Sequence, residues 1–302
     1  MDGHSGGPGD NLPDGSPEGT RTSSSRLVRT ADGSRTRHSA RYGETFHSVH
    51  GARREAVHVY LEASGMGERL DAGERVRVLE IGFGLALNYL VTADRTLIAR
   101  RHGKNAALDY HAVEHELQSA ATIAALGHDA HLRYPAPLAA LLDALERRPR
   151  PNDAGPGAVR PAAPGAARAA TLSRSDFPHR PDGAHVPGRL GADRAADLDG
   201  GPLESGSTVS LSVHVGDASG FRYAREAFDA VYLDAFSPPV NPECWTPAFL
   251  AALHTTLRPG GALVSYCVRG EVRRALRAVG FGVERRPGPP GKRQTLLATR
   301  LS

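Results

Sequence analysis

The chain of 302 residues contains 34 Gly and 22 Pro, and only 40% of its residues are hydrophobic, which favours one core domain with unpacked segments over two complete domains. Its formal net charge of +4 and its pI of 9.3 are compatible with a polyanionic partner but are too mild to indicate one. The sequence has no CxxC spacing and no apolar run of roughly 18 residues, so we expect a cytoplasmic protein without a disulfide framework, metal site or membrane contact.

Two segments have an amino-acid composition that is typical of disordered regions. Residues 1–37 are rich in Gly, Ser, Asp and Arg and contain almost no large apolar residue. Residues 147–207 alternate Pro, Ala, Gly and Arg without an apolar face, and strand-like patterns resume directly after them. Neither segment can bury enough apolar surface to offset its loss of conformational entropy. We therefore predict a disordered tail over 1–37 and one domain over 38–302, interrupted by a disordered insert at 147–207.

Strand patterns alternate with helix patterns through the rest of the chain. The first half of the domain predicts a strand at 75–81, a helix at 85–99, a strand at 108–113 and a helix at 138–145. The second half predicts strands at 209–215 and 228–233, a helix at 247–257, a strand at 262–267, a helix at 271–279 and two closing strands at 282–286 and 295–299. Alternation of this kind predicts a parallel sheet.

A Gly-x-Gly turn, from Gly82 to Gly84, lies between the strand at 75–81 and the helix at 85–99. Glycines at such a turn let the backbone pass close to a ligand, and the helix N-terminus offers free N–H groups to the polar end of that ligand. By itself the pattern fits a nucleotide-like ligand or a plain tight turn equally well.

Acidic residues stand at the ends of the next strands. Glu114 ends the strand at 108–113, where doubly wound folds place an acid that accepts hydrogen bonds from ribose hydroxyls; a solvated glutamate is the alternative. Asp217 follows the strand at 209–215, at the place of a carboxylate that receives an adenine amino group. Because the ends of parallel strands converge at one edge of the sheet, we predict a ligand crevice there.

Asp234 ends the strand at 228–233 and is expected one step further along the sheet than Asp217. A carboxylate followed by an aromatic, proline-restricted loop can hold a planar base and accept a hydrogen bond from an amine. The alternative role, capping the next helix, suits Thr246 before Pro247 better than it suits Asp234.

Several short segments occur together in the order found in one known family. They are residues 39–48 (SARYGETFHS), 51–52 (GA), 79–84 (LEIGFG), 87–88 (LN), 233–238 (LDAFSP), 241–243 (NPE), 245–246 (WT) and 291–293 (GKR). On these segments the chain resembles the MnmC-type tRNA 5-(aminomethyl)-2-thiouridine methyltransferases in a stand-alone form, over about residues 38–146 and 208–300. The bifunctional relatives continue into an FAD-dependent oxidase domain, whereas this sequence stops at Ser302, so no flavin chemistry is expected.

The resemblance implies an α/β fold of the class I, Rossmann-like methyltransferases, with a mostly parallel sheet and a C-terminal antiparallel hairpin. It implies that Asp234 is catalytic and that S-adenosylmethionine is bound by Glu80, Gly82, Gly84, Asn88, Glu114 and Asp217. The partner would be the anticodon region of tRNA, whose wobble uridine carries an aminomethyl group, and no obligate protein partner is indicated.

The implied substrate suggests further roles. Tyr42, Phe236 and Trp245 are candidate stacking surfaces for an unstacked base, with burial in the core as the alternative. Lys292 and Arg293 could meet phosphates, as could Arg41, although most exposed basic side chains only keep a surface solvated. An alkylamine has a pKa of about 10.4, as lysine does, so it must lose a proton before it attacks. We expect Asp234 to orient this amine or take its proton, with orientation as the larger role.

One departure from the family pattern concerns the glycine turn. The family usually reads Gly-Phe-Gly-Thr-Gly-Leu-Asn, whereas Leu85 and Ala86 occupy the fourth and fifth positions here. Loss of the threonine hydroxyl could remove a ligand hydrogen bond. This departure leaves a non-catalytic RNA-binding relative as one alternative. A methyltransferase for a small-molecule amine and an aminopropyl transferase of the same fold are two others, because they share the acidic strand ends and an Asp near the substrate amine.

Overall fold

A seven-stranded sheet organises the computed structural model, which describes residues 26–147 and 208–301. In chain order the strands are β1 (Leu27–Arg29), β2 (Arg35–Arg37), β3 (Arg75–Ile81), β4 (Ala107–Glu114), β5 (Val209–Val215), β6 (Phe228–Leu233), β7 (Leu257–Ser265), β8 (Phe281–Pro287) and β9 (Gln294–Arg300). The helices are α1 (Ala52–Glu55), which continues as a π-helical turn over Ala56–Glu62, α2 (Met66–Ala72), α3 (Leu87–Arg101), α4 (Ala120–Ala124), α5 (Ala136–Glu146), α6 (Pro247–Thr256) and α7 (Gly270–Ala278). The sheet order is β5-β4-β3-β6-β7-β9-β8, and β1 pairs with β2 in a separate hairpin.

The directions of the strands confirm the predicted fold class. Strands β3 to β7 pair in parallel, whereas β9 is antiparallel to both β7 and β8. Each predicted strand overlaps an observed one. The largest difference between predicted and observed bounds is at β7. It begins at Leu257, which pairs with Phe228; after a register shift the pairing continues from Ala262, opposite Ala230.

Both faces of the sheet are packed, as the nearly continuous apolar strand sequences require. On β3, Val76 and Val78 lie in one core together with residues of α2, α3 and α5. Leu79 and Ile81 lie in a second core with residues of α6 and α7. The strand ends are therefore held rigidly between two layers of helices, which is the support that a site at the sheet edge needs.

The carboxyl ends of the parallel strands meet at one edge, where the backbone joins neighbouring loops. Gly82 donates its N–H to the Val113 carbonyl oxygen at 2.9 Å, and Asp234 donates its N–H to the Ile81 carbonyl oxygen at 2.9 Å. The expectation that Asp234 lies one step beyond Asp217 is wrong, because β4 and β3 separate β5 from β6. Asp217 and Asp234 lie on opposite sides of the point where the strand order reverses, and ligands bind at such points.

The predicted boundary of the N-terminal tail is wrong for residues 26–37. Leu27 pairs with Arg37, and Arg29 pairs with Arg35. A turn joins the two strands, and in it the N–H of Thr30 donates a hydrogen bond to the Ser34 carbonyl oxygen at 2.8 Å. Three-residue strands with so few apolar side chains have no periodicity from which to predict them. Residues 1–25 and 148–207 lie outside the described residues, so their disorder stays a prediction.

Residues 38–74 contain helices that no periodic pattern in the sequence predicts. The π-helical turn interrupts the 3.6-residue period, and α2 is a short helix bounded by Gly65 and Gly73, both with left-handed backbone angles (φ 78° and 92°). None of the described helices is both long and apolar enough to cross a membrane. Cys244 and Cys267 are buried free thiols.

Candidate active site

A cavity of about 620 Å³ opens at the carboxyl edge of the sheet, between the strand ends and residues 41–48. This volume lies in the range of small-molecule sites. Of the residues predicted for the site, those that line the cavity are Tyr42, Gly82, Gly84, Glu114, Asp217, Asp234, Phe236 and Lys292. The others, Glu80, Asn88, Trp245 and Arg293, are not among the lining residues.

The glycine turn forms the wall of the cavity next to Asp234. Gly82 has φ 91°, and a Cβ atom there would lie 2.6 Å from the backbone oxygen of Asp234. Gly84 has φ 51°, and a Cβ atom there would lie 3.1 Å from the ring of Phe46. A side chain at either position would be strained by the left-handed backbone, and at Gly82 it would also collide with the backbone of Asp234.

Glu114 is fixed by the turn that it faces. Its Oε2 accepts the N–H of Gly84 at 2.8 Å, and its Oε1 accepts the N–H of Glu116 at 2.7 Å. Burial raises the pKa of Glu114, and these two backbone N–H groups oppose the shift. Each carboxylate oxygen can accept more than one hydrogen bond, so the carboxylate remains able to bind hydroxyl groups in the cavity.

Asp217 is exposed at the far end of the cavity from Asp234. Its Oδ1 accepts the N–H of Ser219 at 2.9 Å and the hydroxyl of Ser219 at 2.8 Å, which caps the short 3₁₀ turn over Ala218–Gly220. Oδ2 faces no described donor within hydrogen-bond distance. A polar group of a ligand can therefore reach Asp217 without displacing the cap.

Asp234 is the most strongly perturbed acid that lines the cavity. The hydroxyl of Tyr60 donates to its Oδ1, and Asn88 Nδ2 donates to its Oδ2 at 2.8 Å. Burial raises the pKa of Asp234 to about 8 and the Glu55 carboxylate adds to the shift, whereas the two hydrogen bonds and the charge of Lys292 oppose it. An acid with this pKa can exchange a proton near neutral pH.

Glu80 and Asn88 lie beneath the cavity instead of facing it. Asn88 Nδ2 donates to Glu80 Oε1 at 2.8 Å, and the Tyr110 hydroxyl donates to Glu80 Oε2 at 3.0 Å. Burial raises the pKa of Glu80 well above its usual value, and the nearby Asp234 adds to the shift. The prediction that these two residues touch the cofactor is not supported by their positions, because the alternation of β3 points Glu80 into the core with α3.

The aromatic residues form a cluster above the glycine turn. Tyr42 and Phe236 stack on each other with ring centroids 4.2 Å apart, and Phe46 meets Phe236 edge-on at 5.2 Å. Trp245 is 6% exposed, and its indole N–H donates to the Phe236 carbonyl oxygen at 2.9 Å. The predicted stacking surface on Trp245 is therefore wrong: the indole supports the loop that carries Phe236.

The two basic residues of the β8–β9 loop have different environments. Lys292 Nζ lies 2.6 Å from Glu55 Oε1 and 4.6 Å from the ring centroid of Tyr266, in the lining of the cavity, and its contact with phosphates stays a prediction. The ion pair forms because Glu55, with 7% of its side chain exposed, needs a partner. Arg293, the next residue, is exposed and lies outside the cavity.

Comparison with known proteins identifies related methyltransferase sequences. A family model for S-adenosyl-L-methionine-dependent methyltransferases matches residues 202–301. The tRNA 5-methylaminomethyl-2-thiouridine biosynthesis bifunctional protein MnmC of Azoarcus sp. (strain BH72) is 33% identical over 266 residues, which are 86% of this chain and 33% of the relative. The protein of the same name from Aromatoleum aromaticum is 32% identical over 272 residues, 89% of this chain and 34% of the relative.

The chain belongs to the MnmC-type family of S-adenosylmethionine-dependent methyltransferases. It spans about a third of the length of these curated relatives. Among solved structures, MNMC2 from Aquifex aeolicus has the same fold, with a TM-score of 0.59 and 24% identity over 92% of this chain and 71% of that one.

The glycine turn departs from the MnmC-type pattern at Leu85 and Ala86. Ala86 has a left-handed φ of 67° where the family usually has glycine, and it precedes the first residue of α3. Leu85 is fully buried and is not among the cavity-lining residues. A side chain at position 85 on this backbone packs in the core, so the missing threonine hydroxyl does not remove a group from the cavity wall.

Several MnmC-type site residues gave no separate signal in the sequence. Glu44 accepts hydrogen bonds from the N–H of Ser237 at 3.1 Å and from the Ser237 hydroxyl, which ties residues 38–48 to the loop after β6. Glu44 and Phe46 belong to the segment at 39–48 that carries the resemblance, but nothing in that segment assigned either residue a role of its own. Glu55 and Tyr60 are brought to Asp234 by the π-helical turn, which no sequence period indicates.

Proposed function

We propose that this chain transfers a methyl group from S-adenosylmethionine to the aminomethyl group of a tRNA wobble uridine, giving 5-methylaminomethyl-(2-thio)uridine. The observation that carries the proposal is the carboxyl of Asp234, which accepts hydrogen bonds from two donors, lines an acidic cavity and has a pKa raised to about 8. A tRNA substrate also agrees with a cytoplasmic enzyme.

The charges of the cavity favour a cationic or amine acceptor. Its lining has six carboxyl side chains against two permanently basic ones: Glu44, Glu55, Glu114, Asp217, Asp234 and Glu243 against Arg41 and Lys292. Low-dielectric walls strengthen this excess of negative charge and attract cations into the cleft. An anionic acceptor atom would be repelled.

The residues of the site fit the cofactor that the family uses. Glu114 presents its fixed carboxylate to the cavity, Asp217 has a free oxygen, and the glycine turn leaves room for close backbone approach. S-adenosylmethionine, when bound there, supplies a methyl carbon attached to a sulfonium sulfur. Glu114 would hold the ribose hydroxyls and Asp217 the adenine amino group, as doubly wound folds place such acids.

Asp234 is suited to free the attacking nitrogen from its proton. Burial lowers the pKa of an ammonium group, while burial of Asp234 raises the pKa of its carboxyl to about 8. The two pKa values approach each other, so proton transfer from the ammonium to Asp234 becomes nearly balanced. The ionised form of Asp234 would take one proton from the ammonium. The freed nitrogen lone pair would then accept the methyl group that S-adenosylmethionine supplies, with the sulfur leaving as a neutral thioether and a secondary ammonium as the product.

The choice of tRNA rests on the relatives and on the rim of the cavity. Both curated relatives are named for tRNA 5-methylaminomethyl-2-thiouridine biosynthesis. Arg41 at the cavity mouth and Arg293 on the β8–β9 loop are exposed, so they can meet phosphates while the acidic interior receives the amine. Tyr42 and Phe236 supply the aromatic surface against which a base can stack.

The direct test uses tRNA that bears the aminomethyl group and S-adenosylmethionine with a deuterated methyl group. We expect mass spectrometry of the digested nucleosides to show one labelled methyl on the wobble uridine. Transfer to polyamines or to small amines, but not to tRNA, would contradict the proposal and support a small-molecule transferase. Binding of tRNA without binding of S-adenosylmethionine in calorimetry would support a non-catalytic RNA-binding protein.

Asp234→Asn keeps the shape of the side chain and removes its basicity. We expect turnover on tRNA to fall by roughly 10²-fold or more, while S-adenosylmethionine affinity stays within a few-fold. Asp143→Asn, a change at an exposed residue of α5, is the control and should leave both unchanged. Weaker cofactor binding with normal turnover at saturation would make Asp234 a cofactor ligand, and full activity would exclude the proposed role.

A further inference from the structure

Tyr60 contacts Asp234 from a part of the chain that no sequence pattern marks. Its side chain is 1% exposed, its ring lies 5.5 Å from that of Tyr232, and its hydroxyl donates to Asp234 Oδ1. Asn88 Nδ2 occupies the other carboxyl oxygen, Oδ2, at 2.8 Å. Each oxygen of Asp234 therefore has one donor from the protein, and the two donors come from different elements.

The π-helical turn over Ala56–Glu62 sets the position of Tyr60. The N–H of Ala63 bonds the carbonyl oxygen of His58, five residues earlier, which is the hydrogen bond of a π-helix. In an α-helix, residues three and four apart share a face, whereas the wider turn brings residues five apart to one side. Glu55 and Tyr60, five residues apart, both act on Asp234.

We propose that Tyr60 is a positioning residue for methyl transfer: together with Asn88 it fixes the Asp234 carboxyl so that the lone pairs left on its oxygens face the amine. The inference rests on the proposed function of Asp234 as proton acceptor. A carboxyl held by two donors cannot rotate freely about its Cβ–Cγ bond, and loss of one donor releases it. Orientation of this kind matters because a small misplacement of a reacting group lowers rates strongly.

The same hydrogen bond also controls the acidity of Asp234. A donor to the charged form stabilises that form, so the Tyr60 hydroxyl lowers the pKa that burial raises. The titratable and charged groups around Asp234 are Glu55 of α1, Glu80 of β3, Tyr110 of β4, Tyr266 after β7 and Lys292 of the β8–β9 loop, in addition to Tyr60 itself. Substituting Tyr60 leaves all the others in place.

The test is Tyr60→Phe, which removes the hydroxyl and keeps the ring. We expect kcat to fall about tenfold, with KM for tRNA and for S-adenosylmethionine within a few-fold of wild type. We also expect the acid limb of the pH profile of kcat/KM to move up by about one pH unit, the size of one lost hydrogen bond to a charged group. Titration of ¹³C-labelled aspartate by NMR, with Asp234→Asn for assignment, should show the same upward shift without any substrate.

Tyr89→Phe is the matched control. Tyr89 is fully buried in the same core, and among the described residues its hydroxyl has no hydrogen-bond partner. This variant should keep the rate, both KM values and the Asp234 titration of the wild type. Loss of rate in both variants would point to packing and would contradict the proposal.

Two further outcomes separate this inference from the proposed function. An Asp234 titration that is the same in Tyr60→Phe and wild type would overturn the role of Tyr60, whatever the substrate is. A shifted titration in a protein that methylates no tRNA would instead overturn the proposed function. If Tyr60→Phe fails to fold, 3-fluorotyrosine at position 60 keeps the packing and strengthens the donor, so the Asp234 titration should move down; no movement would overturn the inference.

Discussion

Hydrogen-bond donors and burial set opposite acidities for two aspartates of this chain. Asp32 accepts bonds from Thr30, Ser34 and the N–H of Arg54, and these donors lower its pKa to about 2 although burial opposes them. Asp234 also has two donors, but burial and the Glu55 carboxylate outweigh them and raise its pKa to about 8. The number of donors alone therefore does not identify an acid whose pKa lies near neutral pH.

Glu114 provides a residue-scale test of the cofactor site. Glu114→Gln replaces one acceptor oxygen with an NH₂ group, so either Gly84 or Glu116 loses its partner and the ribose loses a charged acceptor. We expect S-adenosylmethionine binding to weaken by about 1.5–3 kcal/mol, the cost of charge-assisted hydrogen bonds, without unfolding. Isothermal titration calorimetry measures the change.

The control for Glu114 lies two residues along the chain. Glu116 is exposed, and it contributes its backbone N–H rather than its side chain to the Glu114 hydrogen bonds. Glu116→Gln should therefore bind S-adenosylmethionine as the wild type does. Equal affinity in the Glu114 and Glu116 variants would place the ribose partner elsewhere.

At the scale of elements, the cavity is closed by parts of the chain from both ends. The β8–β9 loop reaches α1 through the Lys292–Glu55 ion pair, and Pro287 contributes its carbonyl oxygen to a 2.9 Å hydrogen bond with His58 Nε2. A Cβ atom on Gly291 would lie 2.5 Å from His50, so the loop packs tightly against the segment before α1. These contacts make the antiparallel hairpin part of the site.

The ion pair can be tested by a double-mutant cycle. Lys292→Met leaves Glu55 buried without its cation and should lower the free energy of unfolding by about 2 kcal/mol, less than for a fully buried pair because Lys292 is partly exposed. Adding Glu55→Gln should recover most of this loss, since no buried charge then remains. Urea denaturation of the single and double variants gives the coupling free energy between the two side chains. Changes in the free energy of unfolding that simply add would show that the ion pair does not stabilise this part of the structure.

Elements were predictable where burial imposes a period on the sequence. β3 has the predicted bounds because its apolar side chains pack on both faces of the sheet, and β5 has them because Val209, Leu211 and Val213 alternate along the strand and pack in one core. The β1–β2 hairpin and the π-helical turn were not predictable, since the first has three-residue strands and the second breaks the helical period. Of the two residues that hold Asp234, Asn88 was named from the sequence, whereas Tyr60 was missed for the same reason, because it lies on that turn.

At the scale of the whole molecule, the sheet order decides which predicted residues meet. Gly82, Glu114, Asp217 and Asp234 share one cavity because four parallel strands end at the same edge, which sequence order alone predicts. The distance of Asp234 from Asp217 could not be predicted, because the chain crosses to the other side of β3 between β5 and β6. Which face of β3 carries Glu80 likewise depends on how the helices pack.

The pH dependence of stability tests the environment of Asp234 in the folded molecule. The Asp234 carboxyl keeps its proton up to about pH 8 when folded, against an ordinary value of 3.8. The folded state therefore binds more protons between these values, and this group lowers the free energy of unfolding as pH rises. Asp234→Asn removes the contribution of this carboxyl to the pH dependence of the free energy of unfolding. Glu80 and Glu114, whose pKa values are also raised, remain in both proteins.

We therefore expect the stability of Asp234→Asn relative to wild type to improve between pH 5 and pH 8, as measured by urea denaturation at each pH. Asp32→Asn is the control with the opposite sign. The folded pKa of Asp32, about 2, lies below the ordinary 3.8, so its stabilisation is complete above about pH 4 and is lost only as the pH falls towards 2. Its difference from wild type should stay constant from pH 5 to pH 8. A constant difference for Asp234→Asn over the same range would mean that the pKa of Asp234 is not raised in the folded protein, and would contradict the proposed matching of this pKa to that of a buried ammonium.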